Sequence, residues 1–390
     1  MPEPTSTAAD QPSRGSRPRL LLVTGPGRSG TSAVTGALSQ LGVHVPPPLV
    51  DWNRSNKKGF FETRWVVDFQ RKVLHKAFTY EFDADPAASK RVEALDDPSI
   101  QTDLTEWLKT AATGHEQMVI KDPRSIWLHP WWSRAAEDND LVLSFLTMLR
   151  HPTEVVGSRS TYYGKFDDDR AARDYAISKV AGWVNVSLLN ERMTRGEPRV
   201  YLRYTDLLAD WRAAMTRVAE RTDLTYNVDL TDNEPNPVDE FITPSLHRIK
   251  TSWEELQVPD ALREIADEVW AACEQLADDA QGDHDAIFDQ LSERYDRLYR
   301  DAAAIASDTT ISTAARARTE GARKARRDLQ SKIKVAKKAA SEAEQKASAA
   351  TRKAAAVTRQ AAVKNRPAPV RQARRLARRT VRTVRRRLGR

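Results

Sequence analysis

The chain has a single cysteine, Cys273, in 390 residues. No intrachain disulfide can form, which suits a reducing cytoplasm. No apolar run reaches 18 residues, so no segment reads as a membrane-spanning helix. Residues 1–17 lack the apolar core of a secretion signal and read as a disordered leader. Aromatic residues stop at Tyr299, so the end of the chain has nothing from which to build an aromatic core. Acidic residues are scarce there too. Residues 314–390 hold 26 Lys and Arg against 4 Asp and Glu, a net +22. Residues 1–313 hold 36 against 50, a net −14, and the formal +8 of the whole chain hides this division. The body is acidic, and the tail is a separate physical object.

One further absence carries chemistry. Residues 20–24 are an apolar run that reads as a buried strand, and the turn Gly25-Pro26-Gly27-Arg28-Ser29-Gly30 follows it. Thr31-Ser32 then opens a segment of small and apolar residues at helical spacing. A strand, a Gly-rich turn and a helix N-terminus make a phosphate cradle, because backbone N–H groups and the helix dipole converge on an anion. A nucleotide-binding P-loop places Lys directly after the last Gly. Here that residue is Thr31, and the cation lies inside the turn as Arg28. The missing lysine argues against an ordinary ATPase or GTPase. A tight turn capped by Ser or Thr is the plainer reading of the same residues.

The run GPGRSGTS, residues 25–32, resembles the 5′-phosphosulfate loop of sulfotransferases that use 3′-phosphoadenosine 5′-phosphosulfate (PAPS). The resemblance implies that Gly27, Arg28, Ser29, Gly30, Thr31 and Ser32 hold the donor. Three other segments extend it in family order. Residues 141–149 form a continuous apolar run, as in a strand buried on both faces, and end in Arg150-His151-Pro152 with Ser158 eight residues after the Arg. In the family such an Arg and Ser grip the 3′-phosphate, and a guanidinium offers paired donors to phosphate oxygens. A capping or salt-bridging Arg150 is the alternative.

Residues 118–124, MVIKDPR, read as a short strand stopped by Pro123. The resemblance gives Lys121 the charge that builds on the leaving phosphate oxygen. A Walker-B-like Asp122 holding Mg²⁺ is the alternative. Residues 56–62, NKKGFFE, resemble a bacterial sulfotransferase motif whose Glu, here Glu62, is the base for the acceptor hydroxyl; a capping or ion-pairing Glu62 at the start of the helix from Thr63 to about Ala77 is the alternative. Better-known relatives use a His two residues after the motif Lys; that position is Pro123, and Asp122 stays open as a second candidate. Residues 200–208 and 241–248 resemble two further family segments, and no chemistry is assigned to His247 within them.

Strand signals near 20–24, 43–46, 118–121, 142–149 and 199–203 alternate with helical ones. They predict an α/β fold: a P-loop-type, doubly wound parallel sheet with helices on both faces. Ligands of such sheets bind beyond the carboxyl ends of the strands. Arg28, Lys121 and Arg150 all fall there. The aromatic stretches 127–132 and 162–163 read as helix packing, with sugar stacking as the lesser alternative. The expected organisation is a leader 1–17, a sulfotransferase-like domain 18–250, a helical extension 251–310 and a basic tail 311–390. The extension reads as two amphipathic helices split near 278–285, serving as a cap or a dimer element.

The tail is rich in Ala, Lys and Arg, a good helix former with little to bury. Beyond Pro367 and Pro369, Val370, Ala373, Leu376, Ala377, Val381, Val384 and Leu388 recur at three- and four-residue steps among arginines. An anionic membrane surface, a polyanion and plain solvation are the three partners this pattern fits.

The expected activity is transfer of a sulfuryl group from PAPS to a hydroxyl acceptor, with a glycan or glycolipid as the guess and no metal required. A P-loop kinase of unusual type and a non-enzymatic nucleotide-binding adaptor acting through the tail are the alternatives. The expected location is cytoplasmic, and the membrane reading of the tail would add a peripheral place at the inner membrane surface.

Overall fold

A computed structural model of the chain describes residues 17–53, 56, 58–232, 234–247, 249–279, 283–364 and 373–379. The sheet has four parallel strands: β1 (Arg19–Thr24), β2 (Gln117–Lys121), β3 (Val142–Leu149) and β4 (Arg199–Arg203), in the order β2-β1-β3-β4. β1 is central, and its side chains alternate between two cores. Leu20 and Leu22 join one apolar cluster, Leu21 and Val23 another, and all four are fully buried. Each such side chain contributes about 1.5–3 kcal/mol relative to exposure. Burial on both faces is why this strand reads as a continuous apolar run rather than an alternating one.

The helices cover both faces. α1 (Thr31–Gln40) packs with Leu21 and Val23 on one side. Between β1 and β2 lie α2 (Arg64–Lys76), α3 (Ala88–Glu93) and α4 (Ser99–Ala112). α5 (His129–Asp138) leads to β3, and α6 (Pro152–Tyr163) and α7 (Asp169–Thr194) lead to β4. α2, α4 and α5 pack on the face of Leu20 and Leu22. After β4 come α8 (Tyr204–Ala209) and α9 (Trp211–Thr222), whose Leu207, Met215 and Val218 share the cluster of α1. The doubly wound sheet expected from the sequence is present.

Beyond α10 (Pro237–Phe241), the segment from 251 holds three helices: α11 (Trp253–Leu256), α12 (Asp260–Asp278) and α13 (Asp285–Ile305). The break between α12 and α13 falls at the expected split near 278–285. Apolar faces of α12 and α13, including Ile265, Val269, Leu276, Phe288 and Leu291, share a core with α6, α7 and Tyr201 of β4. They belong to one compact unit that ends at Ala304.

The strand expected near 43–46 does not form. His44 makes one isolated parallel bridge to Met118, and Pro46, Pro47 and Pro48 follow. Without N–H groups the prolines cannot continue the ladder.

The second unit is described by itself. α14 (Ser307–Lys364) is a continuous helix of 58 residues with no buried side chain. At about 1.5 Å per residue such a helix is long for a globular protein. Residues 373–379 are helical and exposed, so Ala373, Leu376 and Ala377 have the expected form. Val370, Val381, Val384, Leu388, Pro367 and Pro369, like residues 1–16, lie outside the described residues. Among the described residues no helix is long and apolar enough to cross a membrane.

Candidate active site

β1 leads to β2 on one side and β3 leads to β4 on the other, so the crevice between the carboxyl ends of β1 and β3 is a topological switch point. The turn after β1 lies at this point. Gly25 and Gly30 have φ of 107° and 95°, in the left-handed region that favours glycine. A Cβ on Gly25 would lie 2.7 Å from the Met148 carbonyl oxygen, and one on Gly30 would lie 2.3 Å from the Tyr204 ring. Gly30 precedes α1 with no side-chain cap, and the first turn of α1 has no acidic residue. The N–H groups and dipole of α1 are therefore left for an anion. The capped-turn alternative is set aside.

Arg28 also has a left-handed backbone, φ 82°, which costs about 1–3 kcal/mol in a residue with a side chain. Its surroundings hold it there. Its carbonyl accepts from Arg150 Nη1 at 3.2 Å, its Nε donates to Ser158 Oγ at 3.0 Å, and its guanidinium lies over the Tyr162 ring. Its Nη groups have no protein acceptor among the described residues, and it makes no ion pair there.

A cavity of about 500 Å³ opens in front of this turn. Its walls include nearly every residue singled out from the sequence: Gly27, Arg28, Gly30, Thr31, Ser32, Glu62, Lys121, Arg150 and Ser158. Within the turn's predicted donor residues, Ser29 is the exception. It is fully buried, its Oγ has no partner, and it does not line the cavity. The turn folds its side chain inward, so only its backbone can serve an anion.

Arg150 makes the salt bridge of its alternative reading and also lines the cavity. Its Nε pairs with Glu154 Oε2 at 2.9 Å, one turn along α6, and its Nη2 donates to the Ile249 carbonyl at 3.3 Å. Each Nη keeps one N–H unengaged, on a side chain that is 8% exposed and lines the cavity. Lys121 Nζ pairs with Glu62 Oε1 at 2.6 Å. The pair joins the end of β2 to the loop before α2.

Asp122, the other candidate base, is fully buried and absent from the cavity wall. Its Oδ1 accepts from Arg124 Nη1 at 2.7 Å. Burial pushes its carboxyl up to about 6, Arg124 opposes the rise and Glu62 adds to it. It is held by Arg124 off the cavity wall, out of reach of a substrate there.

A charged cluster on the cavity wall escaped the sequence. Glu81, in the loop before α3, accepts from Arg124 Nη2 and from Arg159 Nη1, each at 3.2 Å. Burial raises the Glu81 carboxyl, but Arg159, Arg124 and Lys121 together outweigh it and hold it below its ordinary value. A Cβ on Gly27 would lie 2.4 Å from Glu81 Oε1, so this glycine makes room for the carboxylate. Only the position of Arg159, next to Ser158, hinted at this network. Tyr162 and Tyr163, read as helix packing, line the cavity instead, with Tyr163 50% exposed. Trp127 and Trp132 are core residues as expected.

No family model matches the chain, and no curated protein matches its sequence. In fold it is similar to sulfotransferase domains. One is the sulfotransferase domain of the olefin synthase of Synechococcus PCC 7002, at 17% identity, over 73% of this chain and 97% of that one, TM-score 0.35. A second is the sulfotransferase domain of the curacin biosynthetic pathway, at 14% identity over 66% and 98%, TM-score 0.36. A third is a sulfotransferase from Mycobacterium tuberculosis H37Rv, at 16% identity over 66% and 77%, TM-score 0.33.

Proposed function

We propose that this protein is a PAPS-dependent sulfotransferase acting on a hydroxyl acceptor. The observation that carries the reading is the convergence of Arg28, Lys121 and Arg150 from the ends of three strands into one cavity that also holds Glu62.

The residues present fit the donor. Gly25 and Gly30 give the turn the left-handed backbone it needs, and the uncapped start of α1 lines the cavity in front of it. Gly27, Gly30, Thr31 and Ser32, with Arg28 and the backbone of Ser29, would hold the 5′-phosphosulfate. Arg150 and Ser158 would hold the 3′-phosphate. The donor supplies the sulfuryl group. The acceptor oxygen bonds to sulfur as the bond from sulfur to the bridging phosphate oxygen breaks, and Glu62 takes the hydroxyl proton. Lys121 and Arg28 meet the charge left on the phosphate, and adenosine 3′,5′-bisphosphate is the other product. Positioning and electrostatics dominate such a transfer. Lys121 is well placed for it, because its ion pair with Glu62 sets base and cation side by side.

The aromatic wall of Tyr162 and Tyr163 supports a ring-bearing acceptor such as a glycan or glycolipid. Calorimetry with adenosine 3′,5′-bisphosphate and with ATP, each with and without Mg²⁺, tests the reading. Metal-independent binding of the bisphosphate, tighter than ATP, is expected. Mg²⁺-dependent preference for ATP would replace it with a kinase.

A further inference from the structure

The carboxylate that holds Arg150 is shared. Both oxygens of Glu154 lie 2.8 Å from His247 Nε2, while Oε2 also accepts from Arg150 Nε at 2.9 Å. The three groups come from three places: the end of β3, the first turn of α6 and the loop after α10. The ring of Tyr204 packs against both His247 and Arg150, with centroid distances of 6.3 Å and 5.2 Å. The same loop supplies the Ile249 carbonyl that accepts from Arg150 Nη2. His247, to which the sequence assigns no chemistry, thus closes a relay behind the guanidinium that faces the cavity.

We propose that His247 is a positioning residue for the 3′-phosphate site, coupling the charge available on Arg150 to a proton through Glu154. The inference rests on the sulfotransferase reading above. While the imidazole is neutral, Glu154 and Arg150 cancel, and a phosphate reaching Arg150 meets a guanidinium already matched by a carboxylate. When the imidazole is charged, it matches Glu154 and the guanidinium is released to the phosphate. The trio then carries a net positive charge where the dianion binds. A dianion at Arg150 and a proton on His247 therefore favour each other, and such coupling is reciprocal. Histidine is the side chain whose charge ordinarily changes between about pH 5 and 8.

The other groups facing Glu154 do not supply this coupling. His151, which caps α6, senses Glu154, but burial lowers it, against the opposing pull of Asp267, Glu154 and Glu274. It lies between Trp253 and Trp270, and its Nε2 points towards Asp267 at 3.9 Å. Arg150 stays charged throughout, and Tyr204 contributes its ring face.

The test is the affinity of the full chain for adenosine 3′,5′-bisphosphate and for adenosine 5′-monophosphate, from about pH 6.5 to about pH 8.5. Below this range the 3′-phosphate itself begins to lose a charge, its second ionisation lying near about 6. For the wild-type protein the bisphosphate is expected to weaken about fivefold or more as pH rises, with the monophosphate nearly unchanged. His247→Gln keeps a neutral donor towards Glu154 and should flatten the bisphosphate profile. Its unchanged binding of the monophosphate would show that the cleft is folded. Glu154→Gln should flatten the profile too. Equal slopes in wild type and His247→Gln, or equal slopes for the two nucleotides, overturn the proposal. Absence of bisphosphate binding at every pH is a different result; it sinks the sulfotransferase reading and this inference with it.

Discussion

Lys121 Nζ lies 2.6 Å from Glu62 Oε1, an ion pair between residues 59 positions apart, with side chains 3% and 14% exposed. A cation and a carboxylate in contact on one cavity wall can serve opposite ends of a transfer, one taking a proton and the other meeting the charge that departs. Glu62→Gln should therefore cut turnover on the order of 10²-fold or more. Donor affinity should change little, because general-base loss acts on the transition state. Steady-state kinetics with PAPS and any accepted hydroxyl compound separates the two effects. Near-normal turnover would place the base elsewhere, and Asp122, locked to Arg124 off the cavity wall, would be a poor substitute.

Arg150→Ala should weaken adenosine 3′,5′-bisphosphate far more than adenosine 5′-monophosphate. Losing one charge-assisted contact costs about 1.5–3 kcal/mol, a tenfold loss or more. Titration calorimetry with both nucleotides reads the difference. Equal losses for the two would remove the 3′-phosphate from Arg150.

Much of this site is legible in the chain because punctuation marks it. Pro123, Pro152 and the glycines at 25, 27 and 30 end strands, and the residue at each strand's carboxyl end must lie at the switch-point edge. That logic finds Arg28, Lys121 and Arg150 without knowledge of any side-chain contact. It cannot find Glu81, because the loop carrying it has no periodicity. Its meaning comes from Arg124 and Arg159, 43 and 78 residues away. His247 is hidden for the same reason: its partner Glu154 is 93 residues away. Tyr162 and Tyr163 were misread because periodicity assigns a helix face but not what that face meets. The strand near 43–46 fails because its apolar signal runs straight into three prolines.

Glu81→Gln should destabilise the body and change its response to acid. The carboxylate is held below its ordinary value by Arg159, Arg124 and Lys121, so its folded form binds protons less readily than the unfolded chain. Such a group contributes stability above the ordinary carboxylate range, and the contribution fades as pH falls through that range and below. The variant leaves Arg124 and Arg159 short of an acceptor, at a cost of about 1–3 kcal/mol near neutral pH. Its difference from wild type should shrink as the solution is acidified through about pH 4. Denaturant melts at neutral and acid pH check both statements. A constant difference across pH would mean that Glu81 acts by shape and not by charge.

Deleting residues 314–390 should leave the body folded and able to bind the donor. The compact unit ends at Ala304, and α14 buries no side chain. The deletion removes a net +22 and leaves a net −14. We expect it to abolish binding to vesicles that contain anionic lipid. Each Lys or Arg near such a surface is worth about 1 kcal/mol, and salt screens the attraction over a Debye length of about 10 Å at 0.1 M. Binding of the full chain should therefore fall steeply as salt rises, and neutral vesicles should not bind at all. Ile311, Leu329, Ile333 and Val357 are exposed on α14, but alanine dominates between them, so charge rather than apolar insertion carries the attraction. Co-sedimentation with anionic and neutral vesicles at two salt concentrations decides it. A full chain that ignores both vesicle types yet binds duplex DNA or an acidic polysaccharide would make the tail a polyanion reader. Donor binding lost together with the tail would mean that the body depends on it, against the burial pattern of α14.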